Sequence, residues 1–176
     1  DYPANCNYNA NPVHDVVTAG FHLSKFETTN GQYQKCVDAG KCTIPNTTGE
    51  DNKPVLDVTK AQAEDYCTYA GGRLPTADEW EIVAKGGKAE NNYPWAWAWG
   101  NLLPSCNLTN CWSCEAEAKV VGSYPKDISE FGAYDMGGNV SEWTSTLKGD
   151  VAFVKGGNWK DGPEYALVYY EQFIGP

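Results

Sequence analysis

The most constraining feature of this sequence is that every segment with a regular pattern is short. Three segments have a helical pattern that stops at one or two glycines: "ETTNGQYQKCVDAG", "DVTKAQAEDYCTYAGG" and "LPTADEWEIVAKGG". After residue 90 the chain is rich in Gly, Pro, Asn and aromatic residues, and its apolar runs have the length of strands. The sequence therefore predicts an α+β fold in which short helices precede loops and short antiparallel strands.

The helical segments carry apolar residues at helical spacing. In the third segment, Thr76 followed by Glu79 predicts a capping box, and Trp80, Val83 and Ala84 supply the apolar face. Ahead of the first helix, "HDVVTAGFHLSKF" predicts a strand with a bend at its glycine. The apolar positions of the first two helices are Tyr33, Cys36 and Val37, and then Ala63, Tyr66, Cys67 and Ala70.

Length and charge narrow the function classes. The chain has 176 residues, enough for a single domain over 1–176, with burial of roughly 70% of the unfolded surface. A formal charge of -10, from 13 basic and 23 acidic residues, leaves no surplus to neutralise phosphates, so no nucleic-acid partner is expected. No apolar run approaches the roughly 18 residues that cross a bilayer, so no membrane span is predicted.

Seven cysteines indicate an oxidising compartment and therefore a secreted, extracellular chain. An odd number leaves at least one thiol free or paired with another chain. Cys111 and Cys114 form a C-x-x-C pair that a zinc or redox site would also use, but the contexts that such sites need are absent. Because the sequence begins at Asp1 without a methionine or signal peptide, we expect a processed or partial product. The disulfide candidates are Cys6, Cys36, Cys42, Cys67, Cys106, Cys111 and Cys114.

Six motifs follow one another over most of the chain: "FHLSKFETTNGQYQKCVDAG", "KPVLDVTKAQAEDYCTYAGGRLPTADEWEIVAKGG", "YPW", "VGSYP", "FGAYDMGGNVSEW" and "VKGGNW". In this order they resemble the formylglycine-generating enzyme family, also called the sulfatase-modifying-factor domain. The stretches "GGRLPTADEWE" and "YDMGGNVSEW" are the specific ones. The resemblance implies a C-type-lectin-like fold with short helices, small antiparallel sheets and much irregular loop structure.

The same resemblance argues against the chemistry of the family's enzymes. The formylglycine-generating enzymes bind copper through two cysteines, and the matching positions here are Asp161 and Ala166. The related sulfoxide synthases bind iron through three histidines, whereas this chain has only His14 and His22. Without a thiolate pair there is no soft copper site, so we predict no enzyme activity. A remnant enzyme would require a perturbed acidic cluster in a deep pocket.

The resemblance also implies a structural Ca²⁺ ion. In the matching enzymes a "GNVWEW" loop binds it, and the corresponding residues are Gly138, Asn139, Val140 and Glu142. Amide, carboxylate and carbonyl oxygens suit this hard cation. The alternative is that Asn139 and Glu142 hold the loop by hydrogen bonds alone.

A second implied calcium site maps to Asn107 and the carbonyl of Leu108, with Glu115 or Glu117 as its acidic partner. The chain has three Asn-x-Ser/Thr sequons, and two of them overlap the implied metal sites. A buried asparagine that binds a metal cannot carry a glycan. The third, Asn46 in the polar segment "IPNTTGEDN", is therefore the predicted glycosylation site.

The stretch "YPWAWAWGN" places Trp95, Trp97 and Trp99 at alternate positions, which is one face of an extended strand. The resemblance assigns Trp95 to the core, because family members have "YPWG" here. Trp97 and Trp99 belong either to the core or to a binding or assembly surface. The loop around Asp161 is the other candidate for such a surface.

Family members have a first and a last strand that this sequence lacks. The missing strands indicate either truncation or sheet edges that another chain completes. We predict a secreted, non-catalytic module for extracellular assembly, such as a filament or surface-layer subunit, with itself, another extracellular protein or a glycan as partner. The alternative is a carbohydrate- or protein-ligand-binding domain, and a divergent enzyme is the third hypothesis.

Overall fold

A computed structural model describes residues 16–86 and 104–174. The strands of this part form one antiparallel sheet of order β1-β2-β3, and none of its helices is long and apolar enough to cross a bilayer. Short early helices and a small late sheet confirm the predicted α+β class. The elements are α1 (Asn30–Asp38), α2 (Lys60–Tyr69), α3 (Ala77–Lys85), β1 (Glu142–Lys148), β2 (Val151–Lys155), a 3-10 turn (Pro163–Ala166) and β3 (Gln172–Ile174).

Each α-helix begins at a threonine that caps it. The N-cap hydroxyl groups accept a hydrogen bond from the backbone N–H three residues later; the caps are Thr29, Thr59 and Thr76. The Gln or Glu side chain at that later position accepts a hydrogen bond from the backbone N–H of the threonine. These reciprocal bonds satisfy backbone donors that have no partner inside the helix. The predicted capping box of α3 is confirmed, and the same device starts the other two helices.

The main core lies where α3 packs against the sheet. Trp80, Val83 and Ala84 of α3 are buried together with Met136 and Val168. This confirms the apolar face predicted for the third helix. The contacts of α3 with β1 and β2 hold the sheet against this helix.

The strand predicted from "HDVVTAGFHLSKF" is wrong over residues 16–26, the part of it that the structure describes. A strand needs a neighbouring strand to pair with its backbone groups, and a sequence pattern does not supply one. The alternation of apolar and polar residues in this segment has another cause, because Phe21 and Leu23 pack against the main core. One backbone bond, from the Tyr134 N–H to the Lys25 carbonyl at 2.9 Å, ties this segment to the second half of the chain.

Two of the disulfides expected from the cysteine content are present. Cys36 bonds to Cys42 across the end of α1, and Cys106 bonds to Cys114. Cys67 and Cys111, two further candidates, are free thiols within the described residues. The remaining candidate, Cys6, lies outside the described residues.

Candidate ligand-binding site

The apolar stripe of α2 lines a cavity, and its Tyr66 also packs against a small buried cluster around Tyr33 and Cys36. No residue of α2 is fully buried, and Ala63, Tyr66 and Cys67 line a cavity of about 560 Å³. We call it the α2 cavity; its other walls include Tyr33 and residues from 21–28, 54–58, 71–75 and 140–143. This volume falls within the roughly 300–1,000 Å³ typical of small-ligand sites.

Aromatic side chains form much of the wall of the α2 cavity. The rings of Tyr33 and Tyr66 stack with centroids 5.7 Å apart, and Trp143 lines the same space. The Tyr33 hydroxyl donates to the Thr43 carbonyl at 3.1 Å, and the Trp143 indole N–H donates to the Val58 carbonyl at 3.0 Å. Because these polar ends are bound to the backbone, the rings are held in place as flat apolar surfaces.

An ion pair lies at the rim of the α2 cavity. The Arg73 guanidinium donates to both oxygens of Glu79, at 2.7 and 2.6 Å, and the backbone N–H of Thr76 also donates to this carboxylate. The hydrogen bonds from Arg73 lower the pKa of Glu79 to about 2. The side chain of Arg73 is itself 63% exposed, so the rim presents a cationic group to solvent.

Two carboxylates also line the α2 cavity. Glu27 accepts from the Asn139 amide at 2.7 Å and from the Val140 N–H at 3.1 Å. Glu142 accepts from the indole N–H of Trp80. Burial raises the pKa of both carboxyls, that of Glu142 to about 7, and the charge of Asp135 raises both further.

The acidic cluster extends behind the cavity to Asp127 and Asp135. Neither oxygen of Asp127 has a hydrogen-bond partner among the described residues, and one oxygen of Asp135 also lacks one. The other oxygen of Asp135 accepts from the Gly122 N–H at 2.5 Å. Burial raises the pKa of Asp127 to about 8 and that of Asp135 to about 6. This is the kind of perturbed cluster that a remnant enzyme would require.

Sequence reasoning missed most of this cluster. Glu27 is 112 residues from its partner Asn139, and no spacing rule connects positions so far apart. Asp135 stands in the motif "YDMGGNVSEW". The motif indicates the family, but it does not indicate that Asp135 belongs to a buried acidic cluster. A sequence pattern reports the local period of a segment, whereas burial of an acid depends on what packs over it.

The loop predicted to bind calcium is held by hydrogen bonds. The Asn139 Oδ1 accepts from the Lys119 N–H at 2.8 Å and from the Asn110 amide at 3.2 Å. Glu142 accepts from Trp80, and an added Cβ at Gly138 would lie 2.6 Å from the Asn110 carbonyl oxygen. Protein donors thus occupy the Asn139 oxygen, as in the alternative in which hydrogen bonds hold the loop.

The second predicted calcium site is also not assembled. Asn107 is exposed and Leu108 is buried, while Glu115 pairs with Lys119 at 3.0 Å and Glu117 pairs with Lys53 at 3.1 Å. Within 16–86 and 104–174, no three His, Cys, Asp or Glu side chains are placed to hold a metal. Calcium binding stays a prediction that metal titration has to test.

The predicted binding surface is only partly described. Trp95, Trp97 and Trp99 lie outside the described residues. Asp161 is half-buried and its carboxylate accepts from the Asn158 amide at 2.6 Å. Asp161 does not line the α2 cavity, so it is not part of the same candidate site.

The remaining predicted residues lie at the surface. Asn46 is exposed, in keeping with its predicted glycosylation, which stays a prediction. His22 is exposed and lines the α2 cavity, while His14 lies outside the described residues.

Comparison with known proteins gives the same fold and motifs. Hercynine oxygenase of Mycolicibacterium smegmatis is 26% identical over 215 residues, covering 88% of this chain and 49% of the relative. The inactive C-alpha-formylglycine-generating enzyme 2 of Bos taurus is 35% identical over 122 residues, covering 61% of this chain and 39% of the relative. The chain thus spans about half or less of the length of these relatives.

A solved structure and a family model agree with these matches. PvdO from Pseudomonas aeruginosa superposes with a TM-score of 0.70 at 19% identity, covering 87% of this chain and 74% of that chain, which is a likeness of fold. The model of the sulfatase-modifying factor enzyme 1-like domain matches residues 2–173. These matches confirm both the predicted fold and the resemblance. The chain belongs to the sulfatase-modifying factor enzyme 1-like domain family.

Proposed function

We propose that this chain is a non-catalytic module that binds a small saccharide-type ligand in the α2 cavity. The observation that carries the proposal is the apolar stripe of α2, which faces this cavity and leaves the helix without a buried residue. Exposed apolar side chains in a concave site cost free energy in the empty protein. A ligand that covers them recovers that free energy.

The lining favours a ligand with both apolar faces and hydroxyl groups. The rings of Tyr66 and Trp143 offer flat surfaces against which the C–H face of a sugar can pack. Glu142, Ser141 and Thr28 bring carboxylate and hydroxyl oxygens to the same space, and these accept hydrogen bonds from sugar hydroxyls. An aromatic wall with a few polar groups is the usual composition of a small-ligand site.

The non-catalytic part of the proposal rests on positions 161 and 166. The family resemblance places the copper-binding cysteines there, but Asp161 is a carboxylate bound to Asn158 and Ala166 is a buried methyl group. Neither side chain is a soft metal ligand. One relative is named as an inactive enzyme and another as an oxygenase, so an activity assay accompanies the binding test.

Secretion belongs to the proposal as well. Two disulfides close loops of this chain, and such bonds persist in oxidising compartments. We expect the module to meet its ligand outside the cytosol.

The binding test is a titration of the purified chain with a panel of mono- and oligosaccharides, followed by calorimetry and tryptophan fluorescence. The variant Tyr66→Ala removes one aromatic wall, and we expect it to weaken binding about tenfold or more. Trp112→Ala is the matched control, because Trp112 is 64% exposed and lies outside the cavity. Binding that is unaffected by Tyr66→Ala, or turnover of an added substrate, would contradict the proposal.

Self-assembly is the second candidate, and the sheet supplies the observation that favours it. Leu147, Ala152 and Ile174 are cross-strand partners in register, so they share one face of the sheet. Leu147 is 54% exposed and Ile174 is 37% exposed. The expected partner is a second copy of this chain, packed on the same apolar row.

Light scattering distinguishes the assembly candidate from the binding proposal. If the apolar row forms a contact, Leu147→Asp shifts the protein toward monomer, whereas Phe131→Asp, at another exposed apolar side chain, leaves the mass unchanged. If light scattering shows that the wild-type protein is a monomer at high concentration, the self-assembly candidate is wrong. This result does not affect the ligand-binding proposal.

A further inference from the structure

Three cysteines lie within one nine-residue loop, "CNLTNCWSC". Cys106 and Cys114 form a disulfide, and Cys111 is a free thiol. The Cys111 Sγ lies 3.7 Å from the Cys114 Sγ. A thiol is therefore held against one sulfur of an existing disulfide, which is the starting geometry of thiol–disulfide exchange.

The backbone also allows Cys111 and Cys114 to bond directly. The Cys114 N–H donates to the Cys111 carbonyl at 2.9 Å, which closes a four-residue turn. The first and last Cα atoms of such a turn lie within about 7 Å of each other, and a disulfide spans about 4.4–6.8 Å between Cα atoms. The turn thus holds the two residues at a separation close to the one that a disulfide needs.

The exchange balances without an added oxidant. The Cys111 thiol loses its proton to solvent, and the thiolate attacks the Cys114 sulfur. A Cys111–Cys114 bond forms while the Cys106–Cys114 bond breaks, and the electron pair leaves on Cys106 as a thiolate that takes up a proton. The number of disulfides and free thiols in the loop stays the same.

The two isomers differ in where the free thiol lies. Cys111 is 5% exposed, whereas Cys106 is an exposed residue. Exchange therefore moves the thiol from the interior of the loop to its surface. Reactivity of a cysteine depends on access and on thiolate character, so the second isomer offers a reactive group that the first one conceals.

Electrostatics slow the exchange near neutral pH by lowering the thiolate fraction of Cys111. Burial raises the pKa of Cys111, and the charge of Asp127 raises it further. Among the described residues, Tyr124 also interacts with this thiol. We expect exchange to accelerate as the pH rises, because the nucleophile is the thiolate.

We propose that the 106–114 loop is a thiol–disulfide exchange site that delivers a surface thiol at Cys106 for bonding to a second molecule. The exposed Cys106 thiolate attacks an external disulfide, forms a mixed disulfide with one half of it and releases the other half as a thiolate. The class of partner is therefore a disulfide-bearing molecule. This site is separate from the α2 cavity, so it stands or falls independently of ligand binding.

The test is a peptide map of the whole chain after alkylation without reductant. The protein is incubated with N-ethylmaleimide at about pH 6 and about pH 8.5, quenched with acid and digested with pepsin. The proposal expects label on Cys106 together with a Cys111–Cys114 disulfide, and more of both at the higher pH. Label on Cys111 with the Cys106–Cys114 bond intact at both values overturns it, and so does a Cys6–Cys111 disulfide.

Two variants and one probe sharpen the result. Cys111→Ser removes the nucleophile and should lower alkylation of Cys106 at least about tenfold. Cys67→Ser is the matched control, because it removes the second free thiol of the described residues and should leave Cys106 labelling unchanged. Oxidised glutathione should form a mixed disulfide with Cys106 in the wild-type protein. This measurement does not require the Cys111→Ser variant to fold. Absence of the adduct at about pH 8.5 contradicts the proposal.

Discussion

Asn139 shows how one side chain joins distant parts of the chain. Its amide donates to Glu27 at 2.7 Å, and its oxygen accepts from the Lys119 N–H and from Asn110. The residue is 1% exposed and has φ +57, a conformation that Asn and Asp tolerate better than other side chains. The amide thus connects the segment before α1 to the loop before β1 through bonds in both directions.

Asn139→Asp should destabilise the fold by about 3 kcal/mol, because it places a second carboxylate against Glu27 and removes a donor. The backbone is not the cause, since Asp also adopts positive φ. Urea unfolding measures the change. Asn107→Asp is the control, because Asn107 is exposed and should change the free energy of unfolding by less than about 0.5 kcal/mol. Equal effects of the two substitutions would refute a special role for Asn139.

At the scale of elements, α2 and α3 begin in the same way and have different surroundings. Both start with a threonine capping box. α3 buries Trp80 and Val83 in the main core, whereas the apolar residues of α2 face the cavity. The two helices therefore differ in burial, since α3 carries part of the main core while α2 lies between the cavity and the cluster around Tyr33.

Thr76→Ala should lower the free energy of unfolding by about 1 kcal/mol, since it removes the cap of the helix that carries the core. Thr59→Ala should cost about 0.5 kcal/mol or less, because no residue of α2 is itself fully buried. Thermal melting followed by circular dichroism compares the two variants. A larger loss from Thr59→Ala would mean that α2 is more tightly packed than the cavity implies.

For the whole molecule, the notable electrostatic property is a cluster of four acids on one side of the core: Glu27, Asp127, Asp135 and Glu142. Burial raises the pKa of all four, so the folded protein holds protons that the unfolded chain releases at lower pH. Between the unfolded and folded pKa values the native state binds more protons, and the free energy of unfolding falls as the pH rises. For Asp127 this window runs from about 4 to about 8.

Asp127→Asn should therefore be stabilising at about pH 8, by up to about 5 kcal/mol, and nearly neutral at about pH 4. The amide keeps the shape of the side chain and cannot ionise. Urea unfolding across the pH range is the measurement, with the exposed Asp65→Asn as control. A stability of the wild type that does not fall between these pH values would contradict the buried position of Asp127.

The sequence predicted the local structure well, and it did not predict the site. The capping box at Thr76, the apolar face of α3 and the order of helices before strands follow from neighbouring residues, because capping and helical period are local properties. The family resemblance also came from short contiguous motifs. The strand expected over 16–26 is wrong, because strand pairing needs a partner that the segment itself does not contain.

The sequence by itself determined where the helices lie and the fold class. Only the tertiary structure decided that the stripe of α2 lines a cavity, that Glu27 bonds to Asn139 and that Cys111 lies beside a disulfide. The physical reason is the distance along the chain over which each interaction acts. Period and capping act over a few residues, whereas burial, charge repulsion and sulfur contact depend on which distant segments pack together.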